Sequence, residues 1–273
     1  MVFRTKGKFE FSFGSIPFIL QVFEHSIIGW FMHFDATGLR DFYRSPLGQV
    51  VRRQLASRVR SRWKKVTGLT VIGAGFATPY LGSFRAEALR LGCLMPARQG
   101  ALVWPDAARC HSVLADDARW PIPDNSVDRL LAVHALEHAE RVGPLLREMW
   151  RVLAPDGRLL IIVPNRRGFW SRIDRTPFGH GLPFSRTQLE RQLNDALFTP
   201  VDWSEALYFP PFDKRLLLRM AYAFERTGRR VPIGVAGVIL VEAKKELMAP
   251  IGSAEATRDA RVLKPVPHAG QQM

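Results

Sequence analysis

The sequence predicts an α/β domain over residues 66–246, a doubly wound, mostly parallel seven-stranded sheet with an antiparallel closing strand. Three observations predict it. Short apolar runs alternate with helical segments, the pattern of βαβ units around a parallel sheet. The first run, Leu69-Thr70-Val71-Ile72, ends in Gly73-Ala74-Gly75-Phe76-Ala77, where glycine permits a sharp bend and close approach of backbone to ligand. The run from Arg158 to Val163 is continuously apolar after its arginine, as expected of a central strand buried on both faces.

Ser45 and Pro46 mark a helix start, a serine N-cap with proline in the first turn. Leu47, Val50, Val51, Leu55, Val59 and Trp63 then recur at helical spacing, surrounded by Arg52, Arg53, Arg58, Arg60, Arg62, Lys64 and Lys65. Residues 32–65 thus read as a basic helical segment: one face packs, and the other is solvated, gates a pocket or docks. After the glycine turn a helix is expected from about Pro79 to Arg90. Leu91 to Met95, His111 to Leu114 and Arg129 to Val133 read as the second, third and fourth strands. Gly143 to Leu153 reads as a helix with Leu145, Leu146, Met149, Trp150 and Leu153 on one broad face, ended by Pro155 and Asp156-Gly157. Arg158 to Val163 is the fifth strand. Ser185-Arg186-Thr187-Gln188 is a capping box that opens a helix to about Leu197. Val201 to Tyr208 and Val235 to Lys244 read as closing strands, with a helix from about Lys214 to Arg226 between them. Residues 247–273 are Pro-rich without periodicity and read as a disordered tail.

Composition bounds the partners. The chain is 47% hydrophobic with a formal net charge of +14, an excess carried mostly by scattered Arg. Such charge alone admits nucleic acid, an anionic membrane or acidic small molecules. No aromatic-rich basic motif for base stacking supports nucleic acid. Cys93 and Cys110 form neither a disulfide framework nor a zinc-finger pattern, which fits the cytoplasm. Residues 1–31 place Arg4, Lys6 and Lys8 before an apolar stretch, Phe11 to Phe23, too short to span a bilayer and interrupted by Gly14 and Pro17. An over-long start, with translation beginning at Met32, accounts for this segment; a peripheral membrane anchor is the other reading.

Three motifs carry a resemblance. Thr70-Val71-Ile72-Gly73-Ala74-Gly75-Phe76-Ala77 resembles the glycine-rich first motif of class I S-adenosylmethionine methyltransferases. The stretch from Asp116 to Asp128, with Trp120-Pro121-Ile122-Pro123-Asp124-Asn125-Ser126-Val127-Asp128, resembles that family's acidic stretch leading into strand four. Arg147-Glu148-Met149-Trp150-Arg151-Val152-Leu153-Ala154-Pro155-Asp156-Gly157 resembles its Glu-x-x-Arg-Val-Leu-x-Pro segment before strand five. Their order and spacing, over most of the predicted domain, imply a Rossmann-like fold, S-adenosylmethionine as cofactor and a small-molecule methyl acceptor.

The resemblance implies cofactor contacts from Gly73, Ala74, Gly75 and Ala77, and from Asp116 to the adenine amine, with Asp117 the neighbouring choice and His134 in the pocket wall. Gly75→Val is expected to abolish cofactor binding while leaving the fold intact. Methyl transfer rests chiefly on proximity and orientation, and a base is needed only when the acceptor must lose a proton early. His138 and His180 are the candidate bases, and Asn165, Arg166 and Arg167, leaving strand five, the candidate acceptor-holding residues. Two departures stand out. Val71 occupies the position of the acidic residue near the cofactor's ammonium group, and Cys93-Leu94-Met95-Pro96 lacks the ribose-binding carboxylate. They favour a second reading, a non-catalytic binding or regulatory module on the same fold; an RNA-associated protein is a third. His134-Ala135-Leu136-Glu137-His138 fits the metalloprotease pattern H-x-x-E-H, but the pattern requires a helical face and this segment exits a strand, so no metal is expected.

Overall fold

The computed structural model describes residues 35–212, 215–228 and 236–247. The readings for residues 1–31 and for the tail beyond Ala249 lie outside the described residues. Seven strands form the sheet: β1 (Thr70–Gly75), β2 (Arg90–Pro96), β3 (Ser112–Ala115), β4 (Val127–Val133), β5 (Leu153–Pro164), β6 (Phe198–Ala206) and β7 (Val238–Lys245). Their order is β3-β2-β1-β4-β5-β7-β6. The first five are parallel, and β7 runs antiparallel to both β5 and β6. This is the predicted α/β, Rossmann-like sheet with its antiparallel closing strand. The order reverses between β1 and β4, and a doubly wound fold binds its ligand beyond the strand ends at that crevice. No helix among the described residues is long and apolar enough to cross a membrane.

The alternation of side chains along β5 divides the core. Leu159, Ile161 and Val163 pack on one face with α4 (Val142–Val152) and α5 (Arg186–Asp195). Leu160 and Ile162 pack on the other with α1 (Ala36–Arg44), α2 (Pro46–Arg62) and α6 (Arg215–Gly228). Both predicted caps form: the Ser45 hydroxyl accepts from Gly48 N at 3.0 Å, and that of Ser185 from Gln188 N at 3.2 Å. Helix α1, which the sequence reading did not separate, is capped by Asp35, whose carboxylate accepts from Gly38 N at 2.7 Å.

One element departs from expectation. The helix expected over Pro79–Arg90 is α3 (Thr78–Leu81), a single turn followed by a 3₁₀ turn at Gly82–Phe84. Glycine is among the poorest helix formers, and Ala88 is drawn instead into a bridge with Thr67. The sheet face thereby left short of cover is occupied by α2, whose Leu47, Val51, Leu55 and Val59 are all buried, as is Trp63 at its C-cap. The basic side of α2 is tied down in its C-terminal half: Arg58 pairs with Glu225, Arg60 with Glu87 and Arg62 with Asp202.

Candidate functional site

The turn after β1 is built around two glycines. Gly75 has φ +75°, and a Cβ there would lie 2.3 Å from the Val133 carbonyl oxygen and 2.8 Å from that of His134. A Cβ on Gly73 would meet Leu81 Cδ1 at 2.7 Å and Ala77 Cβ at 2.8 Å. Both positions are therefore demanded first by the approach of β1 to β4 and α3. This corrects the expectation that Gly75→Val spares the fold: the added atoms meet backbone that cannot yield.

Ala74 and Gly75, with Leu94, Met95, Trp120 and Asp117, line a cavity of about 10 Å³ at the strand ends. That is room for about one water in this conformation. Asp117 is half-buried, and its carboxyl is pushed up first by burial and then by the neighbouring charge of Asp116. Asp116 is exposed, and its carboxylate accepts from Ala118 N at 2.8 Å within its own turn. It lines only an outer groove of about 150 Å³, beside Asp117, Arg98 and Glu140. Of the two neighbouring carboxylates, Asp117 and not Asp116 lines the strand-end cavity. Glu148 and Arg151 of the third motif hold this wall: Glu148 accepts from Trp120 N at 2.6 Å, and Arg151 donates to Glu148 and to the carbonyls of Trp120 and Ile122.

The lining is apolar with one carboxylate acceptor, the chemistry an adenine and its amine would need, but the cavity as it stands is too small to admit the base. Val71 is fully buried in the core, and Met95 and Pro96 form apolar wall where a ribose-binding carboxylate was missing from the sequence.

His134 follows β4 in the left-handed region, φ 51°, and is fully buried. Its Nε2 lies 2.9 Å from the Tyr43 hydroxyl and its Nδ1 3.1 Å from Glu137 Oε1, while Tyr80 donates to Tyr43 at 2.9 Å. Because Tyr43 accepts from Tyr80, its own proton is left for His134 Nε2, and the chain runs Tyr80 to Tyr43 to His134 to Glu137. Gln99 Nε2 donates to the His134 carbonyl at 2.9 Å. Burial pushes both phenols well above the ordinary tyrosine range. His134 does not line the strand-end cavity. The H-x-x-E-H segment exits β4 as expected, yet its residues come together. A 3₁₀ turn, Leu136–His138, brings ligand-capable atoms of His134, Glu137 and His138 within 4.8 Å of one another. Both ring nitrogens of His134 are already hydrogen-bonded there.

The remaining predicted residues stand away from both cavities. His138 is buried against Gly181, and His180 Nε2 donates to the Asp174 carbonyl at 2.6 Å. Asn165 is buried, its Oδ1 accepting from Arg167 N at 3.1 Å. Arg166 and Arg167 are exposed, and Arg166 Nε donates to the Pro183 carbonyl. None of these five lines the strand-end cavity or the outer groove.

A larger cavity, about 570 Å³, opens between α1, α2 and the turn after Gly75, walled by Tyr43, Phe76, Leu102, Trp104, Arg44 and Arg52. Phe76 stacks on Tyr43 with ring centroids 5.8 Å apart. Sequence reasoning missed Tyr43, Tyr80 and Gln99, which carry no local signal; Glu137 was visible only inside H-x-x-E-H.

Comparison with known proteins agrees with this geometry. Residues 72–161 match the family model described as "Methyltransferase domain". Curated relatives are demethylmenaquinone methyltransferases of Deinococcus radiodurans, 28% identical over 125 residues (45% of this chain, 51% of that one), and of Thermus thermophilus, 28% identical over 123 residues (44% and 49%). The chain thus spans about half the length of the curated relatives it matches. Among solved structures, the complex of the Haloferax volcanii Trm112 methyltransferase activator with a methyltransferase is similar at TM-score 0.52 and 16% identity, over 77% of this chain and 99% of that one. An S-adenosylmethionine-dependent methyltransferase from Archaeoglobus fulgidus is similar at 0.51 and 17%, over 71% and 94%. The [4+2]-cyclase SpnF is similar at 0.50 and 22%, over 74% and 83%. Residues 72–161 therefore match a methyltransferase domain, and the sheet around them has the fold of these solved methyltransferases.

Proposed function

We propose that the protein transfers a methyl group from S-adenosylmethionine to a small-molecule acceptor. The observation that carries this reading is the strand-end cavity at the β1/β4 switch point, apolar except for the half-buried carboxylate of Asp117. When bound, the cofactor supplies a methyl group already activated by its sulfonium. The chain's task is to hold and orient. Asp117 accepts from the adenine amine, with Asp116 beside it, and Leu94, Met95 and Trp120 exclude water from the base. Gly73, Ala74, Gly75 and Ala77 keep the turn close enough for backbone to face the cofactor. His134 fixes the β4 exit through Tyr43 and Glu137. A proton leaving the acceptor would go to His138 or His180, and Asn165, Arg166 and Arg167 would edge the acceptor's entry.

Calorimetric titration of the purified protein with S-adenosylmethionine and S-adenosylhomocysteine tests this. Micromolar binding of both is the expected result, and no binding of either at about millimolar concentration overturns it.

A second reading, a non-catalytic binding module, is favoured by Val71 and by Met95-Pro96, which leave two charged contacts without a carboxylate. Such contacts are worth about 1.5–3 kcal/mol each. That a [4+2]-cyclase shares the fold illustrates that fold does not fix chemistry. Binding of S-adenosylhomocysteine without methyl transfer to any acceptor would favour this second reading.

A further inference from the structure

We propose that the 570 Å³ cavity beside α1 is the acceptor site, and that it takes a small molecule with an anionic head, carboxylate or phosphate, on an apolar body. This rests on the methyl-transfer reading above.

The cations along the first two helices divide into two sets. Arg58, Arg60 and Arg62 each hold a carboxylate. Arg44 and Arg52, either side of the Ser45-Pro46 corner, have no ion pair among the described residues, and both line the cavity. Arg40 also lines it, but its Nε is engaged by Asp41 at 3.0 Å. No Asp or Glu among the described residues lines this cavity. Uncompensated guanidinium groups around one concavity repel one another and favour an anion that bridges them. Their planar forks match carboxylate and phosphate oxygens.

The rest of the wall selects the body of the ligand. Phe76, Leu102, Val103 and Trp104 are apolar or aromatic, and the volume is that of a small-molecule site, roughly 300–1,000 Å³. Position supplies the link to transfer. Phe76 and Thr78 in this wall directly follow Ala74 and Gly75 in the strand-end cavity, so one turn serves both. The arrangement also separates charge, setting a carboxylate on the side of a cationic cofactor and arginines on the side of an anionic acceptor.

The test uses the full chain and two fluorescent probes sharing an aromatic body: 8-anilinonaphthalene-1-sulfonate, which is anionic, and N-phenyl-1-naphthylamine, which is neutral. The wild type should bind one sulfonate probe per chain. The double variant Arg44→Gln/Arg52→Gln should weaken the sulfonate probe about tenfold or more and leave the neutral probe unchanged, as expected for losing charged hydrogen bonds. Gly82→Leu should weaken both probes. Gly82 lines the cavity and a Cβ there meets nothing within 4 Å, so the side chain fills space without straining the fold. Arg53→Gln, on the same helix but outside the lining, should change neither. No sulfonate binding by the wild type overturns the site, as does an equal loss in Arg53→Gln and the double variant. Titration with S-adenosylhomocysteine separates the two claims. The double variant should keep wild-type affinity, whereas a wild type that binds the sulfonate probe as described but no S-adenosylhomocysteine overturns the methyl-transfer reading alone.

Discussion

The strand-end cavity and the cavity beside α1 are lined by successive parts of one turn, Ala74 and Gly75 in the first, Phe76 and Thr78 in the second. They differ in size, about 10 against 570 Å³, and in charge, one carboxylate against three arginines. The first is shaped by packing: its glycines are fixed by the backbone of β4, and its Trp120 wall is held by Glu148. The second lies where α1 and α2 stand in for a shortened crossover helix, and two of its arginines, Arg44 and Arg52, have no ion pair among the described residues. Packing explains the glycines and the Trp120 wall of the first cavity without reference to a ligand. It does not explain the unpaired arginines of the second.

The largest expected effect breaks the packed side. Gly75→Val places a β-branched residue at φ +75° with its Cβ 2.3 Å from the Val133 oxygen. The variant should fail to fold, losing upwards of about 4 kcal/mol, seen as loss of a cooperative thermal transition by circular dichroism. Gly82→Ala, in the wall of the open cavity, should instead be neutral or gain up to about 1 kcal/mol from helix propensity. Equal behaviour of the two would refute the contrast.

Glu148→Gln probes the clasp. The Glu148 carboxyl is held below its ordinary value first by Arg151, with burial opposing and the backbone N–H of Trp120 adding. A lowered folded-state value means that the contribution is fully present above the unfolded value and is lost as pH falls through the folded one. The melting temperature of the wild type should therefore exceed that of Glu148→Gln at pH 7, and the gap should shrink as pH drops below about 4.5. A gap independent of pH would show that the pair with Arg151 contributes shape alone.

Asp117 should show opposite effects on binding and stability. Asp117→Ala should cost about 1.5–3 kcal/mol of S-adenosylmethionine binding by calorimetry, and Asp116→Ala less, because Asp116 points into its own turn. Burial and the Asp116 charge raise the Asp117 carboxyl. Its ionisation therefore opposes folding at every pH above the unfolded value, and Asp117→Asn should melt higher than wild type at neutral pH while binding less cofactor. Loss of affinity at Asp116 alone would restore the order that the sequence suggested.

The sheet was legible because strands and caps are local signals. The parallel strands read as apolar runs, and Ser45 and Ser185 stand at the two helix starts. The first crossover is less legible, because nothing in Pro79 to Arg90 signals that α2, far off in sequence, covers the same face. The site was less legible for the same reason. Tyr43 meets His134 across 91 residues and Arg58 meets Glu225 across 167, and neither pairing leaves a mark in its own neighbourhood of sequence. Asp116 and Asp117 are adjacent, so only the turn geometry decides which carboxylate enters the cavity.

The smallest expected effect separates paired from unpaired cations by stability alone. Arg58 donates to Glu225 at 2.7 Å, and both side chains are largely buried. Glu225 in turn accepts from the backbone N–H groups of Leu207 and Tyr208, so it anchors the segment after β6. Arg58→Gln leaves that carboxylate with backbone donors but no counter-charge, and should lower stability by roughly 1–3 kcal/mol. Arg52→Gln removes a cation with no ion pair among the described residues. Its effect on the melting temperature should be close to zero, with a slight rise at low salt as repulsion from neighbouring arginines is relieved. Thermal melts of the two single variants at low and high salt decide the matter. A loss at Arg52 as large as that at Arg58 would mean that Arg52 holds the fold together, and its place in the acceptor cavity would then need no ligand to account for it.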